Sequence, residues 1–138
     1  MTLVDTLTAE HCELDHLRRA FLGAVRRRDL DGVMRARAAT CRALLDHLAH
    51  EDDELYAGMI AAGGIAGTLA RQFQEEMGTI GERFHGFVEA WTGGRIAADW
   101  DGFTEEAESL MAVLSRRMTA EETRLYPLLA RTAQRFAA

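Results

Sequence analysis

His47-Leu-Ala-His-Glu51-Asp-Asp-Glu-Leu55-Tyr56 is the stretch on which the fold turns. Around it, Cys41, Leu44, Leu45, Leu48, Leu55 and Met59 recur at spacings of three and four, the period of a helix with one apolar face. Into that rhythm the chain sets a histidine and a glutamate four apart. Positions i and i+4 share one helix face, one turn apart. An imidazole and a carboxylate stacked in this way can hold one divalent ion. The alternative is a solvated acidic face.

A second stretch repeats the first. Arg117-Met-Thr-Ala-Glu121-Glu-Thr-Arg-Leu125-Tyr126-Pro127 matches His47 with Arg117, Glu51 with Glu121, Leu55 with Leu125 and Tyr56 with Tyr126, at an offset of 70 positions. An echo of that size in a chain of 138 residues reads as two helical hairpins. Paired hairpins build four-helix bundles, whose metal sites lie between facing helices.

Working outward, the whole chain fits one domain over residues 1–138. Nearly half of it is apolar, with a single Pro and few aromatics, a helical composition. The net charge of -6 argues against nucleic acid as a partner, which needs a basic face. All 16 basic residues are Arg. The N-terminus, Met-Thr-Leu-Val-Asp, has neither a basic flank nor an apolar run, and no window reads as a membrane span. The expected location is cytoplasmic, with Cys12 and Cys41 as reduced thiols and Cys41 packing on an apolar stripe.

Four helices are expected. The first runs from Leu3 to about Arg28, opened by a capping box of Thr2 and Asp5. The second runs from about Gly32 to Ile60, with Asp31 as its N-cap. The third runs from about Ala66 to Trp91 and the fourth from about Gly102 through the Tyr126-Pro127 bond. Short connections imply an up-down-up-down bundle. His11 then lies near the start of helix one, Glu51 toward the end of helix two, Glu76 near the start of helix three and Glu121 toward the end of helix four. All four fall at one level.

The 100° step per residue sorts the polar side chains. His11 lies within the stripe of Leu7 and Leu14, and Glu76 between Phe73 and Ile80. Glu121 shares a face with Leu114, Met118 and Leu125; His47 and Glu51 flank Leu44. His16, His50 and His85 are expected to face solvent. The inward set is His11, His47, Glu51, Glu76 and Glu121. Two imidazoles and three carboxylates suit iron or manganese. The competing arrangement is a metal-free ionic cluster in which Arg117 neutralises the acids, leaving a bundle that serves protein contacts.

Glu10-His11 on the first helix, His47-x3-Glu51-Asp-x2-Leu-Tyr56 and Glu121-Glu-x2-Leu-Tyr-Pro127 together resemble the hemerythrin-like, or HHE cation-binding, domain over essentially the whole chain. The resemblance implies a four-helix bundle with a non-haem di-iron centre. His11, His47, Glu51 and Glu121 stand at positions that match its ligands, the two carboxylates as bridges. The chain departs from the family at Glu76 and Arg117, where histidines are usual, so the five-histidine set of the oxygen carriers cannot be assembled. The resemblance implies binding or sensing of O2, NO or iron at one or two iron ions, with manganese an option. Phe73, Ile80 and Leu44 are expected to shield the ligand position. The alternative is ferroxidase or peroxidase chemistry with peroxide, aided by Tyr56 or Tyr126. Oligomeric state is left open.

Overall fold

The computed structural model describes residues 1–129 and residue 131, so the expected domain over 1–138 runs beyond the described part. Every regular element in it is helical. The helices are α1 (Leu3–Arg26), α2 (Leu30–Glu51), α3 (Ala57–Ala62), α4 (Gly64–Ala90), α5 (Gly93–Ala98) and α6 (Trp100–Ala120). Two π-helical turns, Asp52–Tyr56 and Glu121–Leu125, continue α2 and α6. The expected second helix is thus one rod made of α2, a π turn and α3.

Local chemistry sets the ends. Thr2 and Asp5 exchange side chain-to-backbone hydrogen bonds in the expected capping box at the start of α1. The N-cap of α2 is Asp29, not Asp31: the Asp29 carboxylate accepts from the Gly32 amide, while Asp31 sits in the first turn. Asp99 caps α6 in the same manner. Between α3 and α4, Gly63 and Gly64 adopt φ of 73° and 70°, a left-handed backbone that glycine accepts without steric cost. The connection expected between Ile60 and Ala66 therefore shrinks to Gly63. The long loop expected between Thr92 and Asp101 holds α5, capped by Thr92.

Side-chain contacts give the directions. His11 near the start of α1 meets His47 near the end of α2 and Glu121 at the end of α6. Asp52, just past α2, meets Gln74 in the first half of α4. Arg37 early in α2 reaches the Trp91 carbonyl at the end of α4, and Arg28 beyond α1 reaches Asp101 at the start of α6. Neighbouring rods therefore run antiparallel, as the up-down-up-down reading requires.

The core has two parts. Phe21, Phe84, Phe87, Trp91, Phe103 and Leu110 belong to the larger, packed through edge and stacked ring contacts. Leu7, Leu55, Tyr56, Met59, Phe73, Leu125 and Tyr126 belong to the smaller. Cys12 and Cys41 are free, and Cys41 packs beside the larger core as expected. No helix among the described residues is long and apolar enough to cross a membrane.

The position of the cap separates two substitutions. Asp29→Ala removes the acceptor of the Gly32 amide and should cost about 1 kcal/mol. Asp31→Ala leaves that bond in place and should cost a few tenths. Urea midpoints of the two variants, compared with the parent, check this; a larger loss in Asp31→Ala would return the cap to Asp31.

Candidate metal centre

Four of the five residues expected to point inward meet at one end of the bundle. His11, His47, Glu51 and Glu121 are all buried, and one ligand atom from each lies within 4.8 Å of the others. α1 supplies His11, α2 supplies His47 and Glu51, and Glu121 stands at the end of α6, where the π turn starts. The i,i+4 spacing stacks His47 and Glu51 as a helix must, with His47 Nε2 3.1 Å from Glu51 Oε1.

Glu76 does not join them. It is half-exposed, and its carboxylate pairs with the Arg117 guanidinium from α6. The reason is rotational. Phe73, Met77, Ile80 and Phe84 form the buried face of α4, so Met77 takes the inward place and Glu76 turns to the rim. Arg117 accordingly makes no ion pair with Glu51 or Glu121 among the described residues; its guanidinium instead lies over the Phe73 ring, 4.8 Å from the centroid. His16 and His85 are exposed as expected.

His50 departs from expectation. It is half-buried, its Nδ1 2.7 Å from Glu10 Oε2 and its Nε2 2.9 Å from Glu54 Oε2. The other oxygen of Glu10 lies 2.7 Å from His47 Nδ1. A carboxylate only accepts, so Nδ1 of His47 carries the proton and its Nε2 faces the cluster. A carboxylate behind an imidazole is the usual way a protein orients a histidine toward a cation.

Two further groups enter the site, and here the π turns matter. In a regular α-helix, residue i+5 lies about 140° around from residue i. A π turn winds more slowly and bonds i+5 back to i; the Tyr126 amide indeed donates to the Glu121 carbonyl. Each tyrosine is thereby carried inward beside the glutamate five residues before it. The hydroxyls then cross: Tyr126 donates to Glu51 Oε2 at 2.8 Å, and Tyr56 donates to Glu121 Oε2. The echo of Tyr56 in Tyr126 was visible in the sequence. The extra residue that turns them inward was not.

The donor set fits a cation. His11 Nε2 lies 3.0 Å from His47 Nε2, 3.1 Å from Glu121 Oε1 and 3.1 Å from the Tyr126 hydroxyl. One imidazole nitrogen, carrying one hydrogen or one lone pair, cannot satisfy three such neighbours. Glu51 Oε1 is meanwhile buried without a hydrogen bond. An over-subscribed nitrogen beside an unsatisfied carboxylate oxygen is what converging ligand atoms leave when only protons are present to reconcile them.

Those protons are displaced from their ordinary positions. Burial alone would lower His47, but Glu121, Glu51 and Glu10 outweigh it and push it up to about 10. Burial raises Glu51 to about 8, with the nearby Glu121 charge adding and His47 opposing. Burial also works to raise Glu121, yet hydrogen bonds from His11 and His47 hold it well below the carboxylate range. Burial and the two carboxylates raise both tyrosines, which stay protonated donors.

Comparison with known proteins agrees with this geometry. The family model described as the hemerythrin HHE cation-binding domain matches residues 2–129. Neither the curated proteins nor the solved structures yield a match.

The shifted protons set a pH dependence for the metal-free protein. The folded state holds the His47 and Glu51 protons more tightly than the unfolded chain, whose values are near 6.5 and 4.5. Their stabilisation is complete below those unfolded values and fades as pH rises toward about 10 and about 8. The lowered Glu121 acts oppositely, contributing above 4.5 and losing that contribution as pH falls toward its lowered value. With chelator present, Tm should fall between about pH 6 and about pH 9. Added divalent metal should oppose the fall, because its ligands must shed protons to bind. A Tm that rises over that range in chelator would contradict the proton assignment.

Proposed function

Because the chain belongs to the hemerythrin HHE cation-binding domain family, we propose that it binds non-haem iron through His11, His47, Glu51 and Glu121. Iron held by these residues would supply a position for a small diatomic ligand, O2 or NO. The observation that carries this reading is the convergence of two imidazole nitrogens and two carboxylates, all buried, within 4.8 Å of one another. Mixed nitrogen and oxygen donors without thiolate suit iron, with manganese next.

The surrounding residues have defined tasks. Glu10 holds the His47 Nδ1 proton and so presents Nε2 to the cluster. Tyr56 and Tyr126 fix one oxygen of each carboxylate. Leu7, Leu55, Met59, Phe73 and Leu125 pack around the site and keep water out. Of the three residues expected to shield the ligand position, Phe73 belongs to this smaller core and Leu44 and Ile80 to the larger. Bound iron supplies a redox-active centre that ligates diatomic molecules directly. The dry, apolar wall favours uptake of a neutral diatomic over an ion.

A second reading has its own support. The two buried tyrosines, hydrogen-bonded to the carboxylates, could supply an electron to the centre, which supports ferroxidase or peroxidase chemistry as the alternative.

Elemental analysis of protein purified without a His tag or chelator should find iron, and Glu51→Ala should abolish it while the helical spectrum persists. Anaerobic NO added to the Fe(II)-loaded protein should produce a new visible absorption band. No band with either NO or O2, together with sustained turnover of Fe(II) and peroxide, would replace the binding reading with the enzymatic one. Absence of any retained metal from an intact fold would remove both.

A further inference from the structure

We infer that this site holds one metal ion, and that two tyrosine hydroxyls and the Glu76–Arg117 ion pair stand where a second ion would need ligands. The inference rests on the metal-binding reading above, and three observations carry it.

The first is the use of the carboxylate oxygens. Glu51 Oε1 lies 3.1 Å from His47 Nε2, and Glu121 Oε1 lies 3.1 Å from His11 Nε2. His47 Nε2 in turn lies 3.0 Å from His11 Nε2 and 4.0 Å from Glu121 Oε1, so contacts link these four atoms in one cluster. The opposite oxygens are already engaged: Glu51 Oε2 accepts from Tyr126 at 2.8 Å and Glu121 Oε2 accepts from Tyr56. A carboxylate that bridges two ions turns one oxygen to each. Here the second oxygen of both faces a buried O–H donor.

The second is the supply of further donors. On α4 the buried positions facing the bundle interior include Phe73, Met77 and Ile80, and on α6 they include Leu114 and Met118. Glu76 and Arg117, the charged pair between these helices, neutralise each other at the rim. Arg117 lies one turn before Glu121, so the position that would supply a donor supplies a cation. The remaining nearby acids sit behind the imidazoles: Glu10 on His47 Nδ1 and Glu122, 3.7 Å from His11 Nδ1.

The third is charge. Two carboxylates with neutral imidazoles balance one divalent ion. A second would leave two uncompensated positive charges in a dry site. Buried charge without a counter-charge is strongly disfavoured.

Chelator-treated protein titrated anaerobically with Fe(II), then desalted and analysed for metal per chain, tests this directly. Titration with Mn(II) followed by electron paramagnetic resonance provides an independent readout. The expected result is one ion per chain and the spectrum of isolated Mn(II). Two ions per chain, or an exchange-coupled Mn(II) pair, would overturn the inference while leaving metal binding in place. No retained ion would overturn the metal reading itself and this inference with it. Tyr126→Phe should still bind one ion, with affinity reduced roughly ten- to a hundred-fold through the freed Glu51 carboxylate. Unchanged affinity would show that the hydroxyl does not hold that carboxylate for the metal.

Discussion

Two carboxylates and two imidazoles are buried side by side in one cross-section of an apolar bundle, and the surrounding structure answers that constraint. Glu51 and Glu121 are both wholly removed from solvent. A carboxylate so placed is costly by several kcal/mol unless something compensates its charge. Protons do so only with strain: three polar neighbours crowd His11 Nε2 while Glu51 Oε1 lacks a bond. A single divalent cation among the same atoms would satisfy all four ligands together. A cation among these atoms would offset the cost of burying the two carboxylates.

The two π turns are part of that answer. Each inserts one residue immediately after the inward glutamate of its rod, and each swings a tyrosine to the same face. Because the rods lie opposite one another, each hydroxyl reaches the other rod's glutamate. This crossed pair ties α2 to α6 through four buried groups. It also leaves each carboxylate one oxygen for the centre. Structural tie and ligand geometry are therefore the same interaction.

Around the centre, charges are sorted by depth. Glu10 stands behind His47 and bridges to His50, which in turn meets Glu54 at the surface. Glu76 and Arg117 form a separate pair at the rim, over Phe73. Arg117 thus pairs with Glu76, one of the acids it was expected to neutralise, and among the described residues makes no ion pair with Glu51 or Glu121. In the metal-free protein the charge of the cluster is balanced by the protons held on His47 and Glu51 and not by Arg117.

By itself the sequence determined the four rods, their antiparallel order and four of the inward residues. Those follow from period and spacing: apolar recurrence marks a face, i,i+4 sets His47 against Glu51, and the offset between Glu51 and Glu121 places both at one level. Only the tertiary structure decided the rest. Glu76 lies at helical spacing from both Phe73 and Ile80, yet so does Met77, and packing against the other rods settled which of the two turned inward. Asp31 was the expected cap of the second helix, and the chain path gave that place to Asp29. Tyr56 and Tyr126 lay on the wrong face of a regular helix, and a single extra residue per turn, a property of backbone winding rather than side-chain pattern, brought them into the site.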